Sequence, residues 1–178
     1  MALIVLDAGH GGYDPGATAN GLLEKDLTLN LVLRVEDLLA TKGHTILLTR
    51  QSDIFVELSG RADYANSVGA DYFVSFHHNA GGGTGFESYV YPGSRENETG
   101  QKQDLVHSTI MTFLANYGLR DRGKKEANFA VLRETQMSAI LLENLFVDTA
   151  SDAALLKDPV FLNGLANGIS SGIHSAVS

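Results

Sequence analysis

Leu3-Ile4-Val5-Leu6-Asp7-Ala8-Gly9-His10-Gly11-Gly12-Tyr13-Asp14-Pro15-Gly16 is a short apolar run that stops in a cluster of glycines with a histidine inside it. A run of this kind bounded by glycine and proline reads as a buried strand followed by a sharp turn. It delivers a side chain to the open edge of a sheet. His10 is therefore a candidate site residue, read either as a metal ligand or as the capping histidine of a tight turn.

The same pattern returns downstream. Asp71 to Phe76 is nearly apolar throughout, as a central strand covered on both faces should be, and it runs into His77-His78-Asn79 and the glycine-rich stretch Ala80 to Gly85. Side chains alternate along a strand, so His77 shares a face with Phe73 and Ser75 while His78 points the other way. One of the pair is expected to be a ligand.

Between the two histidine turns, Leu27, Leu31, Val35, Leu38 and Leu39 recur at helical spacing within Leu27 to Ala40, and Lys42-Gly43 ends the helix. Glu24 sits in the loop or first turn leading into this helix, where a carboxylate is favoured by the helix dipole without any further role. His44 to Thr49 is a second strand, which completes strand, helix, strand and implies an α/β layout with a right-handed crossover. Leu58, Ala62, Ala65 and Val68 line a second helix, on which Arg61 and Asp63 read as solvated or helix-pairing charges.

Beyond the second histidine turn, Phe86 to Tyr91 alternates as a strand that arrives early enough to break an all-parallel pattern, and Gln101 to Tyr117 is a long helix. Gly118 to Asn128 collects Arg120, Arg122, Lys124 and Lys125; it reads as a solvated loop or as a rim meeting an anionic substrate. Phe129 to Leu132 reads as a short strand. Ala139 to Phe146 sets Glu143 inside an apolar strand, where an unpaired carboxylate costs several kcal/mol and must protonate, pair or face a cation. The alternatives for Glu143 are a structural ion pair and a base beside a metal. A short helix over Asp152 to Leu156 and an amphipathic helix over Val160 to Ala176 close the chain.

The 178 residues fit a single domain spanning 1–178. The absence of cysteine removes disulfides, thiolate sites and cysteine nucleophiles, leaving histidine and carboxylate as metal donors. A net charge of −8 argues against a nucleic-acid partner. No run approaches the ~20 apolar residues of a membrane span, and no signal peptide is evident at the N-terminus. His10, Glu24, His77 and Glu143 all stand at strand or helix ends or in strands, and two imidazoles with one carboxylate are a common catalytic zinc set. No HExxH, Walker loop or GxSxG occurs.

Leu6-Asp7-Ala8-Gly9-His10-Gly11-Gly12, Glu24, Ser75-Phe76-His77-His78-Asn79-Ala80, Gly83-Thr84-Gly85-Phe86-Glu87 and Leu142-Glu143 with Phe146 together resemble the zinc-dependent N-acetylmuramoyl-L-alanine amidases of the Amidase_3 type. The resemblance runs from the first strand to the last helix. It departs at Ala8 and Ser138, where proline is frequent, and at Asn144-Leu145, where small residues are usual. It implies a three-layer α/β/α domain with a twisted, mostly parallel mixed sheet, zinc held by His10, Glu24 and His77, and Glu143 as the catalytic acid/base. The implied substrate is peptidoglycan, cut between the lactyl group of N-acetylmuramic acid and L-alanine through a zinc-activated water. Asp7 is read either as a carboxylate that orients His10 through its second ring nitrogen or as a turn residue. A monomer acting at the cell wall is expected, either exported within a longer protein or released as a phage lysin, with room for a separate wall-binding domain outside this chain. The competing readings are another zinc hydrolase, a carboxypeptidase or deacetylase, and a non-catalytic wall-binding or regulatory domain on the same fold.

Overall fold

The computed structural model describes all 178 residues. Strand β1 (Leu3–Ala8) leads through the glycine turn to a two-residue ribbon, β2 (Thr18–Ala19) and β3 (Leu22–Leu23), and then to helix α1 (Glu24–Thr41). β4 (Thr45–Leu48), α2 (Leu58–Ser67) and β5 (Tyr72–Asn79) follow, then β6 (Phe86–Val90) and α3 (Glu98–Leu114). The remainder comprises β7 (Asp121–Glu126), the single turn α4 (Ala130–Arg133), β8 (Ser138–Phe146), α5 (Ala150–Leu156) and α6 (Pro159–Val177).

The six main strands form one mixed sheet in the order β4-β1-β5-β8-β6-β7. Every pairing is parallel except β6 with β8, so the last two strands run against the other four. The strand after the glycine-rich loop does break the parallel pattern, because its short connection from β5 leaves no length for a crossover.

Two apolar layers hold the sheet between its helices. Ile4, Leu6, Tyr72, Val74, Phe76 and Ile140 face α1, α3 and α6 in the larger core. Val5, Phe73, Ala139 and Leu141 face the smaller layer made by α2 and α4. His77 and Glu143 continue this second face, by alternation from Phe73 and Leu141, beyond where α2 and α4 cover it.

Two local expectations are corrected. Phe129 to Leu132 is not a strand: Phe129 precedes the single helical turn α4, closed by hydrogen bonds from Arg133 N to the Phe129 carbonyl and from Glu134 N to the Ala130 carbonyl, with Val131 and Leu132 buried. Gly118 to Asn128 is not a loop, because Asp121–Glu126 pairs with β6 as the sheet edge. Charged side chains are what an edge strand carries to avoid pairing with another chain.

Arg61 is likewise not solvated. Its guanidinium lies under the β1 turn, where Nη1 donates to Asp7 Oδ1 at 2.9 Å and Nη2 to the His10 carbonyl at 2.9 Å. Asp7 is fully buried and also accepts from Ser75 Oγ at 2.6 Å and Thr49 Oγ1 at 2.7 Å. Burial alone would raise its pKa, but the Arg61 charge and these donors hold it below the ordinary carboxylate value. Arg61→Ala strands that charge, a loss of about 3–5 kcal/mol for a buried pair. The thermal midpoint is expected to fall by roughly 6 to 20 °C at ~2–4 °C per kcal/mol. Calorimetry reads this directly, and a fall of no more than ~2 °C would show that the pair is not holding the turn.

Candidate active site

Three side chains from three parts of the chain meet at the C-terminal ends of β1 and β5. His10 follows β1 with φ 64°, a left-handed conformation unusual for a residue with a Cβ. Arg61 bonds its carbonyl, and a backbone exchange between Gly11 and Asp14 closes the turn around it. Glu24 is the first residue of α1, and His77 lies near the end of β5. His10 Nε2 and His77 Nδ1 are each 3.1 Å from Glu24 Oε1, and the three donor atoms lie within 4.8 Å of one another. A side chain at Gly9 would overlap the His77 ring, and one at Gly16 would meet both Glu24 and His10, so the glycines of this turn clear space for the cluster.

Electrostatics show what this geometry requires. Burial would lower the His10 pKa, yet hydrogen bonds and charge from Glu24, then Asp14, carry it up to about 9. Burial would raise that of Glu24, but the bonds from His10 and His77 hold it well below the carboxylate range. Two imidazoles converging on a buried carboxylate therefore hold a proton where they could hold a cation, and the donor set of two nitrogens and one oxygen suits zinc.

His10 is oriented by Asp14, not by Asp7. Asp14 Oδ2 lies 2.8 Å from His10 Nδ1, so that nitrogen carries a proton toward Asp14 and Nε2 faces Glu24 and His77. Asp7 is committed to Arg61, Ser75 and Thr49 on the other side of the turn. Asp14→Ala is expected to weaken zinc binding by about 10- to 100-fold, the usual cost of losing a carboxylate that orients a ligand histidine. Competition with a chelating dye measures this, and an unchanged affinity would remove Asp14 from that role.

His78 points away from the cluster. It is buried in the opposite face, its Nδ1 hydrogen-bonded to the Asn144 carbonyl, and burial pushes its pKa down to about 4. Only its backbone N–H serves the site, donating to Glu24 Oε1 at 3.0 Å.

Glu143 stands beside His77, its direct partner in the parallel β5–β8 register. Burial pushes its carboxyl up to about 7, and its Oε2 is buried without a hydrogen-bond partner. An ion pair with arginine is thus ruled out for Glu143. It lies in a cleft of about 430 Å³ with His10 and His77. Phe55, Val56, Leu58, Phe129, Ala130 and Val131 line the cleft as well. No helix is long and apolar enough to cross a membrane.

A sequence profile for N-acetylmuramoyl-L-alanine amidases, the Amidase_3 family, matches residues 4–175. The chain is 49% identical over 174 residues to an endolysin of Bacillus phage SPP1, covering 96% of this chain and 64% of that protein. It is 48% identical over 178 residues to the sporulation-specific N-acetylmuramoyl-L-alanine amidase of Bacillus subtilis strain 168, covering 99% of this chain and 68% of that one. It therefore spans about two thirds of the length of these relatives. Among solved structures, the catalytic domain of CwlV, an N-acetylmuramoyl-L-alanine amidase from Bacillus (Paenibacillus) polymyxa var. colistinus, superimposes with a TM-score of 0.92 at 35% identity. That match covers 99% of this chain and 98% of that chain.

Proposed function

The chain belongs to the N-acetylmuramoyl-L-alanine amidase family, and on that premise we propose that it hydrolyses the amide between the lactyl group of N-acetylmuramic acid and L-alanine in peptidoglycan. The observation that carries this reading is the convergence of His10, Glu24 and His77 beyond the C-terminal ends of the strands, beside an unpartnered Glu143. His10 Nε2, Glu24 and His77 Nδ1 would hold zinc, which when bound supplies a Lewis acid for the scissile carbonyl and lowers the pKa of water toward ~7.

The protein supplies the rest. Asp14 and the turn fix the His10 ring, and Gly9 lets the His77 ring approach. Glu143 takes a proton from the attacking water, whose oxygen bonds to the lactyl carbonyl carbon. As the carbon–nitrogen bond breaks, Glu143 returns that proton to the departing alanine amine. Its raised affinity for the proton, caused by burial, suits both halves of this transfer.

Digestion of purified sacculi tests the reading through the new ends formed. Free L-alanine amines without new reducing sugars, lost with chelator and regained with zinc, are expected. New reducing sugars would mark a glycosidase, and release of a C-terminal amino acid or acetate would mark a carboxypeptidase or deacetylase. By the same reading the chain acts at the cell wall, where its peptidoglycan substrate lies.

A further inference from the structure

The basic stretch of β7 is ordered around one acidic residue beside the cleft. Glu87 on β6 is the direct antiparallel partner of Glu143, so the two side chains share a face. Glu87 Oε2 accepts from Arg122 Nε at 3.0 Å and from Lys125 Nζ, while Oε1 accepts from Asn79 Nδ2 at 2.7 Å and Tyr89 Oη at 3.0 Å.

Plain alternation would place Arg122 and Lys125 on opposite faces. The β6–β7 register instead jumps from Phe86 opposite Asp121 to Ser88 opposite Lys124, a bulge at Arg122-Gly123 with Gly123 at φ 95°. A bulge of this kind re-aims a side chain, and here it brings both cations to the side of Glu143.

Arg122 is then fixed at two points. Its Nε is tied to Glu87, and its guanidinium carbon lies 4.8 Å from the Phe146 ring centroid. Its two terminal nitrogens have no hydrogen-bond partner and are not sealed from solvent. Nη1 lies against Gly83, where a Cβ would come within 3.0 Å of it. A guanidinium held by Nε and stacked on a ring presents its terminal N–H pair as a preformed fork for a carboxylate.

The spacing fits the substrate. Arg122 is two strands from Glu143, about 10 Å at ~4.8 Å per strand, before the side chains lean toward each other. Two extended residues of a peptide span about 7 Å. We infer that Arg122 is a specificity-determining residue that binds a carboxylate on the second residue of the stem peptide, two residues beyond the scissile amide. This rests on the amidase reading. In peptidoglycan the second stem residue is a glutamate linked through its side chain, which leaves its α-carboxyl free or amidated.

Two ligand pairs test it separately from catalysis. Calorimetric titration of zinc-loaded protein compares L-Ala-γ-D-Glu-L-Lys-amide with the same peptide carrying D-isoglutamine. Tighter binding of the free acid by about tenfold or more is expected, with Arg122→Gln erasing the difference and Arg122→Lys restoring part of it. Cleavage of the corresponding muramyl tripeptides should show the same preference, mainly in KM. Glu87 keeps Lys125, Asn79 and Tyr89 in Arg122→Gln, so the thermal midpoint should stay near wild type. Equal binding of the two peptides by wild type, or an equal loss for both in Arg122→Gln, would overturn the inference. Acid preference in binding with no cleavage of either muramyl peptide would instead overturn the amidase reading and leave the carboxylate site standing.

Discussion

Glu143→Gln lowers the rate on sacculi by about 10²- to 10⁴-fold, the range for removing a general acid/base, or roughly 3 to 5 kcal/mol of barrier. Glutamine keeps the shape of the side chain and its place in β8 but cannot accept the proton. Zinc content and thermal midpoint should stay near wild type, because Glu143 has no arginine or lysine partner to orphan and its Oε2 makes no hydrogen bond. The pH profile carries the same signature. The base works as a carboxylate, so kcat/KM should fall as pH drops, with an acid limb at or below the value of about 7 set by burial, since a cation beside Glu143 draws it lower. In Glu143→Gln that limb disappears. A folded, zinc-loaded variant with near wild-type turnover would remove Glu143 from the mechanism.

His10→Ala, Glu24→Ala and His77→Ala each abolish stoichiometric zinc binding, and activity on sacculi falls to background with it. The three donors are all within 4.8 Å of one another, and no cysteine or fourth donor substitutes for a missing one. His78→Ala keeps its zinc, because that ring is turned into the opposite face. Metal analysis of the four variants reads the outcome; zinc retained in His77→Ala and lost in His78→Ala would reverse the assignment. Zinc binding should also release a proton. The His10 pKa of about 9 in the metal-free cluster lies above its ordinary 6.5, so that proton stabilises the metal-free fold below about 6.5 and its contribution is lost as pH rises through about 9. Affinity for zinc therefore climbs with pH over that interval, as the competing proton leaves. Titrations in buffers of different ionisation enthalpy measure the proton count.

Much of this was legible because buried parallel strands announce themselves. β1 is an apolar run two residues short of His10, β5 carries His77 and His78 near its end and β8 contains a lone glutamate, and the alternation along β5 separates His77 from His78. Glu24, at the start of α1, lies near His10 in sequence, so their meeting needs only a local turn. The features that escaped are non-local or charged. Arg61 lies on a helix where an arginine usually faces solvent; its partner Asp7 is 54 residues away and is supplied by the fold. β7 reads DRGKKE and has no apolar alternation, because its charges bond across to Glu87 and Asp104 instead of packing in the core. Asp14 was within reach, four residues after His10, but the left-handed backbone at His10 is what brings the two together.

The most direct test follows the oxygen of water into the product. A muramyl tripeptide is cleaved in water labelled with heavy oxygen, and both products are weighed by mass spectrometry, with zinc-loaded and with chelated protein. One label in the lactyl carboxyl of N-acetylmuramic acid, a free unlabelled alanine amine, and no reaction after chelation are the predicted result. A label at a peptide carboxyl, or unaltered cleavage by the chelated protein, would contradict it.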